Sequence, residues 1–295
     1  MDQKGLHAFF PFLCNHHTNV RSETRIDALS RMYIAVNDLI CTLAIDDYEN
    51  RSKITRKIDS LYKTLDRSSV KNLTRMYRLT KEVSMAVYGD KDRECSDIYY
   101  DSITSYLKDP DPEVEPDVMR CIVYELGDIP EDNTGFDFYP YFCERCRSWI
   151  DELDGEDRWK GIPEVTALER LGLLQDNSCV FRDDSFNDAL MRVYGCYRKH
   201  LILPRQAEAE DLPLLGAWYD LLRIPGVLPY EPALSGRIAR LMEDFANAAK
   251  PRSDEWYFAT SYAVRQGCTD IINKAQSNLR QRQDNERKEF AGDNS

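Results

Sequence analysis

Three carboxylates, in Asp46-Asp47-Tyr48-Glu49, close the first apolar run of the chain. Carboxylates at the end of a buried helix can share a Mg²⁺ ion and hold a diphosphate through it, because hard oxygen ligands suit that cation and the ion offsets the phosphate charge. Near the other end, Asn273, Ser277 and Gln281 recur every four residues and so occupy one stripe of a helix. Cys143-Glu144-Arg145-Cys146, the single Cys-x-x-Cys of the sequence, offers a different chemistry. With two more ligands it closes a tetrahedral Zn²⁺ site. Cys14, His16 and His17 are the densest remaining donors. The alternative reading of the same pair is two cysteines buried on successive turns of a helix.

The carboxylate pair and the distal polar stripe resemble the two metal motifs of class I terpene synthases, all-α enzymes of about this size. The resemblance covers these two short patches. It implies a Mg²⁺-dependent reaction on an isoprenoid diphosphate, with Asp46, Asp47 and Glu49 as metal ligands and Asn273 and Ser277 assisting. Asn50 stands where the first motif has a further carboxylate, and Gln281 where the second has Glu.

A second chemistry-bearing feature is a charge inversion. Arg51 to Lys81 holds ten Lys/Arg against two Asp/Glu, a balance of +8, whereas Glu82 to Lys160 holds eight against twenty-two, a balance of −14. Arg51, Lys53, Arg56 and Lys57, followed by Lys63, Arg67, Lys71, Arg75 and Arg78, are expected on the outer faces of two adjacent helices. Such a basic surface fits an acidic protein or a phosphorylated segment. It equally fits the chain's own acidic stretch, in which case the two surfaces face each other. Nucleic acid is disfavoured, because the whole chain carries a net charge of −12 and would be repelled by a phosphate backbone at long range.

Four histidines leave few general bases, and the glycines form no phosphate-cradling loop. The main reading is therefore a non-enzymatic interaction protein docking an acidic partner through 51–81. The Mg²⁺ enzyme is the alternative, and no cofactor is required outside the Mg²⁺ and Zn²⁺ readings. Nine scattered cysteines, no leader-like segment and no apolar run of membrane-spanning length suggest a cytoplasmic protein with reduced thiols.

The elements that must position these groups are helices. Hydrophobic content of 42% suffices for a core. Ile26, Leu29, Tyr33, Val36, Ile40 and Leu43 follow helical spacing from an N-cap at Ser22 to near Asp46. Further helices are expected after Ser68 or Ser69, over 94–107, and from Asp117 once the prolines of 109–116 are passed. In the second half they are expected over 163–174, 184–203, 211–224, 231–249 and 253–285. Pro163 is expected to open one of them. Ser178 to Phe181 is the one short strand candidate. The aromatic groups at Trp218-Tyr219 and at Trp256-Tyr257-Phe258 with Tyr262 are expected to pack in the core rather than line a pocket. The fold class is all-α, an irregular multi-helix bundle or short degenerate helical array of about ten helices. The organisation is an arm over 1–20, a helical domain over 21–285 with a candidate sub-boundary at 109–116, and a polar tail over 286–295.

Overall fold

Prolines and short polar caps mark where the helices of this chain begin and end, and a computed structural model shows the result. It describes residues 23–42, 56, 69–74, 76–77, 93–125, 138–154, 162–178, 184–224 and 226–292. Within these, nine α-helices follow in order: α1 (Glu23–Thr42), α2 (Arg93–Lys108), α3 (Glu115–Glu125), α4 (Phe138–Asp154), α5 (Glu164–Asp176), α6 (Asp184–His200), α7 (Leu212–Leu221), α8 (Pro232–Ala248) and α9 (Asp254–Gly292). A 3₁₀ turn at Ala209–Asp211 precedes α7. A further helical piece, residues 70–77 with residue 75 left aside, starts where Ser69 Oγ accepts the Asn72 N–H at 3.2 Å. The described residues contain no strand, and Ser178 is helical. The protein is all-α.

Several boundaries differ from the sequence expectation for local reasons. α3 begins at Glu115, one residue before Pro116, because a proline in the first turn gives up a donor that has no helical partner anyway. The stretch before it is an ordered turn: Asp111 O accepts from Val114 N–H and Glu115 N–H, and its side chain accepts from Glu113 N–H at 2.9 Å. Pro163 takes the N-cap position and Glu164 is the first helical residue, whereas Pro232 does open α8. α6 stops at His200, since Leu203 precedes Pro204 and is pushed towards extended backbone. α9 runs past the expected end at 285.

The inward faces follow the helical period. Ala28, Leu29, Met32, Tyr33, Val36 and Leu39 of α1 are buried. One contiguous apolar cluster runs from there through Leu73, Met76 and Tyr77 to Trp149, Trp218, Tyr257 and Cys268. α9 packs most extensively along α1 and α8. α7 bridges α8 to α5, and α6 lies on α4. The α1–α9 pair is parallel. Arg25 Nε donates to Asp254 at 2.6 Å and Arg31 Nη1 to Ser261 Oγ at 2.7 Å, over sequence separations of 229 and 230 residues, so both helices advance together. At 39 residues α9 is about 58 Å long, and residues 276–283 are exposed on every side. No helix among the described residues is long and apolar enough to cross a membrane.

Two glycines sit where any side chain would collide. A Cβ on Gly216 of α7 would lie 2.7 Å from the Tyr262 hydroxyl and 3.0 Å from Phe258. Its absence lets α7 and α9 touch. At Gly226 a Cβ would meet the Gln175 side chain at 2.6 Å. Gln175 is buried and clamps that loop, donating to Ile224 O at 3.1 Å and accepting from Leu228 N–H at 2.9 Å.

Candidate ligand pocket between the terminal helices

Because α1 and α9 run side by side and α7 crosses close to α9, a concavity opens where the three meet, with Arg120 of α3 and Asp176 of α5 at its edge. Its volume is about 420 Å³. Asp27, Arg31 and Asp38 line it from α1, Asp220 from α7, Arg223 from the turn that follows α7, and Arg265, Cys268 and Thr269 from α9. Helical spacing explains the α1 and α9 sets: residues three, four or seven apart share a stripe.

The charges are not paired as neighbours in the sequence would be. Asp220 in the last turn of α7 and Arg223 just past its end are only three residues apart in the sequence. Instead Asp220 binds Arg265 of α9 and accepts the Tyr262 hydroxyl at 3.1 Å. Arg223 is left with neutral acceptors: Nη1 donates to Tyr219 Oη and Gln266 Oε1, both at 2.9 Å, and Nη2 to Thr269 Oγ1 at 2.7 Å. Thr269 is itself fixed by donating to Arg265 O at 3.0 Å. Arg31 lies flat against Tyr262, 4.1 Å from the ring centre. Among the described residues, Asp38 and Asp176 make no hydrogen bond or ion pair. Asp38 is exposed to solvent in the pocket, yet the surrounding walls strip enough water to raise its pKa above the ordinary value, against the pull of Arg265. Burial, and then the Asp38 charge, push the Cys268 thiol up to about 12, so it stays protonated and non-nucleophilic near neutrality.

A second concavity, of about 500 Å³, lies along α8 and α9 and is lined largely by small residues such as Ala233, Gly236, Ala263 and Gly267, with Trp256 among them. Trp256 lines this groove while packing, half-buried, against the core, as Phe258 does, and Trp218, Tyr219, Tyr257 and Tyr262 are buried as expected.

None of the described residues singled out from the sequence as site candidates lines either concavity. Asn273 and Ser277 are exposed on α9, beyond Thr269. Asp46, Asp47 and Glu49 fall outside the described residues. Arg56 and Lys71 are exposed, whereas Arg51, Lys53, Lys57, Lys63, Arg67, Arg75 and Arg78 fall outside them. Cys143 is half-buried and Cys146 buried on α4; Cys14, His16 and His17 are outside the described residues. Burial, with the neighbouring Cys143 second, raises the Cys146 pKa and so favours its thiol over the thiolate a metal needs. Among the described residues no three His, Cys, Asp or Glu side chains gather at metal-binding distance.

The pocket residues were missed because each reads as an ordinary helix-surface charge. The available signal was Asp27, Arg31 and Asp38 on one stripe of a helix that is otherwise apolar inward. The chain matches no family model, no curated protein and no solved structure.

Proposed function

We propose that this chain is a non-enzymatic helical interaction protein that docks an acidic protein or a phosphorylated segment through the cations of 51–81. The observation that carries the reading is where acids of the 82–160 stretch find partners. Glu115, Asp117 and Glu152 pair with Arg120, Arg145 and Arg170 of α3, α4 and α5. These three acids are therefore engaged by arginines outside 51–81. Lys71 is exposed beside the buried Leu73, Thr74, Met76 and Tyr77. Arg75 and Arg78 follow it at i+4 and i+7, the spacing of one helical stripe.

The test uses a fluorescent glutamate-rich peptide and a phosphoserine counterpart. Binding of one or both is expected, weakening steeply as salt rises. The combined substitutions Arg56→Glu, Lys57→Glu, Lys71→Glu and Arg75→Glu are expected to weaken it by about tenfold or more. Affinity that the quadruple variant leaves unchanged would remove the proposal.

The register of the terminal helices favours one second reading. α1 runs parallel to α9, so its C-terminal end heads along the same direction as Asn273 and Ser277, as a Mg²⁺ site shared with Asp46, Asp47 and Glu49 would require. Incubating the protein with Mg²⁺ and a panel of prenyl diphosphates is expected, on that reading, to release diphosphate, and Asp47→Ala to stop it. No release by the wild-type protein excludes this enzyme.

A further inference from the structure

We infer that the pocket between α1, α7 and α9 binds a small zwitterion, its carboxylate on Arg223 and its cationic group on Asp38. The inference is independent of the 51–81 surface.

Arg223 is a held, uncompensated cation. A guanidinium has five N–H donors. Three of Arg223's go to Tyr219, Gln266 and Thr269, all neutral. The Nε–H and one Nη2–H remain, and among the described residues no carboxylate pairs with this side chain. Its natural partner three residues back, Asp220, is diverted to Arg265 and Tyr262. An arginine fixed in place by neutral acceptors loses little further freedom on binding, and its planar donors match a carboxylate.

Asp38 supplies the opposite sign in the same concavity. It makes no hydrogen bond or ion pair among the described residues, and the cation acting on it, Arg265, is committed to Asp220. Asp38 of α1 and Arg223 of the turn after α7 line one pocket without an ion pair joining them. A ligand with one sign only leaves the second group partly desolvated and unpaired, which is unfavourable. A ligand with both signs satisfies both. The volume of about 420 Å³ admits an amino acid or a similarly sized molecule with room for water.

Binding is measured by calorimetry at about pH 7.5, where both ends of the probes are charged. The probes are glycine, β-alanine, 4-aminobutyrate and 6-aminohexanoate, which separate the charges by increasing distances. Butyrate and butylamine carry one sign each. At least one amino acid of the series is expected to bind saturably, with butyrate and butylamine about tenfold weaker or more. Arg223→Gln and Asp38→Asn are each expected to cost a similar factor, while Asp151→Asn, at an exposed position of α4, changes nothing. Failure of the whole series overturns the inference. So does a one-sign probe that equals the best zwitterion, or binding that survives either pocket substitution. Should Arg223→Gln not fold, Asp38→Asn decides, because that exposed side chain makes no contact the fold depends on.

Discussion

Replacing Glu115 by alanine is expected to lower the unfolding free energy by about 3–5 kcal/mol, read as a fall in the urea midpoint. Glu115 opens α3 and is 3% exposed. Its carboxylate accepts from Arg145 Nε at 2.7 Å, Trp149 Nε1 at 2.8 Å and Arg170 Nη2 at 3.1 Å. The side chain therefore ties three helices, α3, α4 and α5, at one buried point. Its removal strands the equally buried Arg170, whose Nε has no partner among the described residues. The remaining contact of Arg170 to Glu152, at 2.8 Å, keeps the loss towards the lower end of that range. Glu115→Gln preserves the shape and two acceptor contacts and is expected to fall between. Glu113→Ala, two residues away and exposed, is expected to stay within about 0.5 kcal/mol.

The same carboxylate gives stability a pH dependence of known sign. Burial opposes its charge, but the bonds from Arg145 and Trp149 and the charges of Arg145 and Arg170 outweigh it and hold its pKa below the ordinary 4.5. A depressed folded-state pKa means the stabilisation is complete above about pH 4.5 and is lost as pH falls through the folded value. The gap in urea midpoint between wild type and Glu115→Gln is therefore expected to narrow on acidification. A constant gap would show that the charge contributes nothing.

Trp218→Ala is expected to cost about 3–5 kcal/mol by the same measurement. Trp218 is fully buried on α7, the helix that bridges α5 and α8. Its ring meets Tyr194 of α6 edge-on, 6.4 Å between centres. Alanine there leaves a void that the close-packed surrounding helices cannot close without shifting. Phenylalanine is expected to cost much less, for a specific reason. The indole Nε1 is buried without an acceptor among the described residues, so Trp218→Phe removes an unsatisfied donor along with some volume. Equal losses for both substitutions would mean that the N–H, and not the packing, is what matters at this position.

Legibility differed between levels of structure. The apolar stripe of α1 and the cap at Ser69 were both readable, because a cap or a helical stripe involves residues within a few positions of each other. The boundary errors had the same local origin. Pro116 was read as a barrier although the first turn tolerates it, and the last residues of α9, up to Gly292, were read as a tail.

The pocket was not readable, and Asp220 shows why. Sequence spacing offers it Arg223, three residues away, but packing gives it Arg265, 45 residues away. Glu115 likewise draws its donors from 30, 34 and 55 residues along the chain. The amino-acid sequence by itself determined that this protein is all-α and which face of α1 turns inward, since both follow from the 3.6-residue period and its caps. Only the tertiary structure decided that the first and last helices run parallel, that Arg223 is left with neutral partners, and that it shares a pocket with Asp38. Those outcomes depend on how one helix slides and crosses against another, and that register is set by the packing of the whole core.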